Sequence, residues 1–104
     1  MKNEGLIKTL NDCAAHCNYC ADACLDEKDV KMMVECIRLD RICAATCTAT
    51  AAALAVNSDE ARELVEACGK ICEKCVDECA KHDAQHCRDC AEACKKCAEA
   101  CASF

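Results

Sequence analysis

The sequence predicts an all-α protein, an antiparallel up-down-up-down four-helix bundle with a cysteine-lined core, and three observations carry that expectation. Proline is absent and glycine occurs twice in 104 residues, while Ala, Glu, Lys, Asp and Cys dominate, which favours helix and leaves little strand material. Sixteen cysteines recur at steps of three and four, the spacing of one helix face. Short polar segments divide the chain into four such stretches, and short connectors turn consecutive helices antiparallel. A chain of this length forms a single domain, residues 1–104, with room for one modest core.

The first helix is expected over about Asn3 to Cys24, with Cys13, Cys17, Cys20 and Cys24 on one face and Leu6 and Leu10 extending it upstream. Leu25-Asp26-Glu27-Lys28-Asp29 is a polar connector whose aspartates can cap the second helix. That helix is expected over about Asp29 to Val56 and carries Cys36, Cys43 and Cys47, with Asp40 where the spacing asks for another cysteine. Asn57-Ser58-Asp59-Glu60 reads as a helix start, with Asn or Ser as N-cap. The third helix then runs to about Lys81 with Cys68, Cys72, Cys75 and Cys79. Asp83 is the expected cap of the fourth, which holds Cys87, Cys90, Cys94, Cys97 and Cys101. Those five thiols fall within a sector of about 80° and along roughly 21 Å of helix.

The two halves repeat. Cys13, Cys17, Cys20 and Cys24 map onto Cys68, Cys72, Cys75 and Cys79 at an offset of 55 residues, and Cys36, Asp40, Cys43 and Cys47 map onto Cys90, Cys94, Cys97 and Cys101 at 54. The unit is a duplicated αα-hairpin. In the second alignment Met33 matches Cys87 and Met32 matches His86. Threading the bundle places Cys24, Met32, Met33, Cys79, His82, His86 and Cys87 at one end and Cys13, Cys47, Cys68 and Cys101 at the other.

Composition excludes several function classes. A net charge of −6, one Tyr, one Phe and no Trp remove the basic patches and stacking platforms of nucleic-acid binding. The longest uncharged run, Ile42 to Ser58, is 17 residues with four Thr or Ser and two Cys, short and polar for a membrane span. Met1-Lys2-Asn3-Glu4-Gly5 does not open a secretory signal, so a soluble, cytoplasmic protein is expected.

In a reducing compartment this many thiols point to metal rather than disulfides. Seven i,i+4 pairs use fourteen of the cysteines, and neighbours at that spacing sit about 5–6 Å apart at Cβ, too far for a disulfide, which wants roughly 3.8 Å. Cysteine as mere core filler explains one or two seam positions but not sixteen, since leucine would bury more area without the oxidation risk. Four CxxC steps (17/20, 72/75, 87/90, 94/97) raise the alternative of a thiol redox protein, but they lie mostly mid-helix with no βαβ pattern beside them.

Soft thiolates select Cu(I), Zn²⁺ or iron–sulfur clusters. Charge favours copper. Four Zn²⁺ on sixteen thiolates would leave a formal −8 in a dry core, whereas bridging Cu⁺ can approach one ion per sulfur and neutrality. Neither the loop knuckles of zinc sites nor the proline-ended cysteine run of ferredoxins is present. A zinc or general thiolate buffer remains the alternative metal reading.

With CxxxCxxCxxxC on several helices, almost the whole chain resembles the four-helix-bundle copper storage proteins, in particular their cytosolic branch. The resemblance implies a non-enzymatic bundle that stores many Cu(I) ions on inward-facing cysteines and loads through one open end bearing His and Met. It also implies assembly as a homo-oligomer, often a tetramer; a copper chaperone or small-thiol donor is the partner expected to deliver the ion. Asp40 departs from a fully thiol-lined pattern and puts one copper layer in question. His82 and His86, spaced i,i+4, are the candidate entry ligands, against the alternative of solvated turn histidines. Met32 and Met33 are similar, since one of two adjacent residues must point inward. His16 sits about 40° outside the cysteine sector and reads as a flank residue rather than an auxiliary ligand. Asp40 either accepts hydrogen bonds from thiols or faces water. A second stripe on helix two, Val30, Met33, Val34, Ile37, Ala44, Ala45 and Ala52, is expected to serve self-association.

Overall fold

The computed structural model describes residues 1–104. The chain forms α1 (Glu4–Cys24), a 3-10 turn (Val30–Met33), α2 (Val34–Ala55), α3 (Ala61–Cys79) and α4 (Gln85–Ala102). Each helix packs on its sequence neighbours and α1 packs on α4, which closes a four-helix ring 44 Å long and 18 Å across. No helix is long and apolar enough to cross a membrane.

The helices bury what their periodicity says they should. All sixteen cysteines are buried, and they join Leu10, Met33, Leu54 and Val65 in one core cluster. The end away from the histidines is closed by Leu10, Thr50, Leu54 and Val65, all fully buried, with Leu6 and Leu64 half-buried around them. Gly69 has a packing reason: a Cβ there would meet the Cβ of Cys101 at 3.2 Å, so its absence lets α3 and α4 approach closely.

Several boundaries differ from the sequence expectation. The second helix does not start at Asp29: its first turn is the separate 3-10 segment, Asp29 makes no side-chain capping bond, and the tighter winding turns Met33 inward at 5% exposure while Met32 stays 67% exposed. Asn57 is not the N-cap of α3. It adopts φ 52°, and the Asn57 and Ser58 amides donate to the Leu54 and Ala53 carbonyls, the paired bonds of a Schellman ending for α2, where Asn tolerates the left-handed backbone. Ser58 Oγ does accept the Glu60 amide, at 3.2 Å, just ahead of α3. Asp83 is not the side-chain cap of α4, whose N-cap is Ala84. Its carbonyl instead accepts Arg88 Nε and Nη2 at 3.0 and 2.7 Å, fastening the last connector.

The second stripe of helix two also divides. Met33 and Ala44 belong to the chain's own core and Ile37 packs against it; Val30 and Val34, each 38% exposed, and Ala45 and Ala52 face outward.

The sixteen thiols pack with Leu10, Met33, Leu54 and Val65 in one core cluster, and every buried side-chain nitrogen and oxygen has a hydrogen-bond partner. We therefore expect reduced, metal-free protein to stay folded, with the helix content of the 84 of 104 residues found in helices. Far-UV circular dichroism under anaerobic conditions checks this. A random-coil spectrum would mean that metal binding supplies the folding free energy.

Candidate metal centre

The four cysteine seams meet on the bundle axis as a continuous column of sulfur. Toward the closed end, Cys47 lies 3.6 Å from Cys68 and Cys43 lies 3.6 Å from Cys72. In the middle, Cys94 is 3.8 Å from Cys13 and 3.6 Å from Cys17, and Cys17 is 3.8 Å from Cys90. Toward the open end, Cys36 is 3.7 Å from Cys79 and 3.9 Å from Cys24, and Cys20 is 3.9 Å from Cys87. The i,i+4 neighbours Cys20/Cys24, Cys43/Cys47, Cys68/Cys72 and Cys90/Cys94 are each 4.0 Å apart, and Cys75/Cys79 3.9 Å.

Every cysteine is a free thiol, and these separations suit a bridging metal. With metal–sulfur bonds of about 2.3 Å, sulfurs 3.6 to 4.0 Å apart subtend roughly 100–120° at the ion. Four-donor groups converge along the column: Cys13/Cys47/Cys72/Cys97, Cys13/Cys17/Cys43/Cys94, Cys17/Cys75/Cys90/Cys94, Cys20/Asp40/Cys79/Cys90 and Cys20/Cys24/His86/Cys87. Cys13, Cys17, Cys20, Cys90 and Cys94 each serve two of these groups, so neighbouring ions would share sulfur. Cys101, on the last turn of α4, is the most exposed of the sixteen at only 7%.

Asp40 is fully buried and takes the thiol-bonding alternative. Its Oδ1 accepts Cys75, Cys90 and Cys79 at 3.2, 3.3 and 3.6 Å, and its Oδ2 accepts Cys36 at 3.7 Å. Burial, then the nearby sulfurs of Cys90 and Cys75, push its carboxyl up to about 11, so the metal-free protein holds it neutral at physiological pH. Burial likewise pushes the Cys24 thiol up to about 12 and raises Cys87. A cation entering here would displace those protons, and its charge would replace them.

His86 reaches thiols at the open end and Met33 joins the core cluster, whereas the other sequence candidates stay outside. His86 Nδ1 lies 3.3 Å from Cys20 Sγ and 3.5 Å from Cys87 Sγ. Burial opposes protonation of this imidazole, but hydrogen bonds to Cys20 and Glu27 outweigh it and raise its pKa. His82 turns to Glu78 at 3.0 Å; with Met32 and Met33 it lines an open cavity of about 590 Å³ at this mouth, along with the connector acids Asp26, Glu27 and Asp29. His16 is exposed in the groove between α1 and α4, beside Asp12, Asp89 and Glu92, and is not brought to a thiol. Sequence reasoning missed Glu27 and Glu78 as histidine partners. The i,i+4 spacing of Glu78 and His82 was a usable signal, while nothing in the sequence joins Glu27 to His86, 59 residues away.

Residues 1–104 match the protein family described as Csp, copper storage protein. Among solved structures, the Cu(I)-bound copper storage protein BsCsp3 superposes with a TM-score of 0.94 at 42% identity, covering 99% of this chain and 97% of that one. The copper storage protein Ccsp from Streptomyces lividans, loaded with 10 copper equivalents, gives 0.91 at 44% identity over 94% of this chain and 79% of that one. A cytosolic copper storage protein from the same organism, with five coppers, gives 0.89 at 44% identity over 94% and 87%.

Proposed function

This chain belongs to the copper storage protein family, and we propose that it stores Cu(I) on the sixteen buried cysteines of its bundle axis. The role is storage rather than catalysis, and the cytosolic setting named for the Streptomyces relative extends to it. One observation carries the reading: sulfurs 3.6 to 4.0 Å apart run the length of the axis in overlapping donor groups. Shared thiolates suit a monovalent soft ion, because each added Cu⁺ cancels one thiolate charge in a dry interior. Isolated Zn²⁺ sites would leave the core anionic, and a redox protein needs one activated pair rather than a column of buried thiols.

Loading is assigned to the end that holds His86 and Met33, with His82 and Met32 in the cavity outside. Both side-chain types bind Cu(I) as neutral donors, so an ion can pass to Cys20, Cys24 and Cys87 without stranding a charge. The opposite end is blocked by Leu10, Leu54 and Val65. Delivery by a copper chaperone or small-thiol donor, and assembly of the 104-residue unit into a homo-oligomer through outward residues such as Val30 and Val34, belong to the same proposal.

Anaerobic titration of the reduced protein with Cu(I) and with Zn²⁺, each against a competing chelator, tests it. Cu(I) should saturate well above four ions per chain, the number of separate Cys₄ sites that sixteen cysteines could form. Tight filling by four Zn²⁺, with Cu(I) stopping at a few ions, would overturn the storage reading in favour of a zinc buffer.

A further inference from the structure

We propose that Glu27 is the positioning residue of the open end: it holds the Nε2 proton of His86, keeps the Nδ1 lone pair directed at Cys20 and Cys87, and thereby sets how fast the bundle accepts Cu(I). The inference rests on the storage reading and goes beyond it by assigning a role to a residue that binds no metal itself.

Glu27 is placed by the connector after α1. The Asp26 and Glu27 amides donate to the Ala23 and Cys24 carbonyls, so this segment is wound as a turn rather than left as free chain, and the turn carries Glu27 over the mouth. There Glu27 Oε2 lies 3.4 Å from His86 Nε2. The same ring presents Nδ1 at 3.3 Å from Cys20 Sγ and 3.5 Å from Cys87 Sγ. The imidazole is largely buried and Glu27 partly exposed, at 12% and 41% side-chain exposure, so the ring sits between a solvent-side carboxylate and a thiol cluster.

A neutral imidazole carries one N–H and one acceptor nitrogen. An ionised carboxylate can only accept, whereas a thiol can donate. In the neutral ring one tautomer satisfies both sides: Nε2–H donates to Glu27 and Nδ1 accepts from the thiols. Nδ1 is the ring nitrogen beside Cys20 and Cys87, two members of the Cys20/Cys24/His86/Cys87 donor group. An arriving Cu(I) then displaces thiol protons to solvent, and the imidazole loses none. Without Glu27, Nε2 loses the acceptor it has here and either nitrogen can carry the proton; an Nδ1–H ring cannot bind a cation through Nδ1. His82 makes a carboxylate contact of the same kind with Glu78, at 3.0 Å, but reaches no thiol; Lys81 pairs with the other Glu78 oxygen at 3.3 Å.

Two measurements on the full reduced chain test the role. Nitrogen-15 spectra of the metal-free protein, taken at a pH where the His86 ring is neutral, above its raised pKa, read its tautomer, and stopped-flow transfer from a Cu(I)–chelator complex reads the loading rate. Wild type should show Nε2–H. Glu27→Ala should mix the tautomers and slow the first loading phase about tenfold, the scale of outer-shell losses at metal sites. Glu27→Gln, which keeps a side-chain oxygen, should restore both. In a His86→Ala background, Glu27→Ala should add no further slowing, because the residue acts through the ring. An unchanged tautomer in Glu27→Ala, or equal slowing with and without His86, overturns the assignment. A wild-type chain that takes up no Cu(I) overturns the storage reading and this proposal together, an outcome distinct from equally fast uptake by wild type and Glu27→Ala, which removes the role of Glu27 alone.

Discussion

Replacing Asp40 with asparagine should abolish the pH dependence of metal-free stability between about pH 5 and 6.5, a window across which the wild type should lose about 2 kcal/mol. The sign comes from burial. Asp40 titrates ordinarily at 3.8 and near 11 in the fold. Above its ordinary value the unfolded chain gives up the proton while the native state keeps it, so stability is full below 3.8 and declines as pH rises toward 11. The slope is about 1.4 kcal/mol per pH unit. His86 is shifted in the same direction, but from an ordinary value of 6.5, so it adds to the decline only above the window. Glu78 is held below its ordinary 4.5; its contribution is lost on acidification, below the window. Asparagine keeps an oxygen for Cys75 and Cys90 and has no charge to suppress. Denaturant unfolding of reduced, metal-free protein at the two pH values measures the effect. A wild type as flat as Asp40→Asn would show that Asp40 is ionised among the thiols.

Leu54→Ala should destabilise the metal-free protein by about 3 kcal/mol, within the range found for buried leucines, and lower its melting temperature on the order of 10–20 °C. Cysteine is a small side chain, so the few large ones carry a disproportionate share of apolar burial. Leu54 is fully buried at the closed end with Leu10 and Val65. Backbones fixed in the neighbouring turns cannot collapse onto the cavity, so transfer and cavity terms both apply. Leu6→Ala, at a half-buried position, should cost clearly less. Calorimetry of the reduced protein reads both variants; a loss below about 1 kcal/mol for Leu54→Ala would mean that this end is loosely packed rather than plugged.

Much of the site was legible because a helix converts spacing into direction. Steps of three and four put every cysteine on the inner face of its helix, and the observed burial of all sixteen agrees with that geometry. The duplicated hairpin and short connectors likewise dictated which thiols share an end. Helix boundaries were less legible where one residue serves two competing uses. Asn57 can cap the start of a helix or end one in a left-handed turn, and the choice went to the Schellman bonds that satisfy the last carbonyls of α2.

The bundle, its thiol-lined axis and the soft-metal chemistry were all written in the chain's local pattern, because they depend on periodicity and side-chain type within a few turns of helix. Contacts between side chains of different helices had to wait for the fold. Packing placed Asp40 of α2 among thiols of α2, α3 and α4, where burial suppresses its charge. It drew His86 to Cys20 while leaving His82 with Glu78 and His16 outside. It also set Glu27, from the connector after α1, against a ring on α4. No local pattern encodes such a contact, since the register between helices is set by how their whole apolar faces pack.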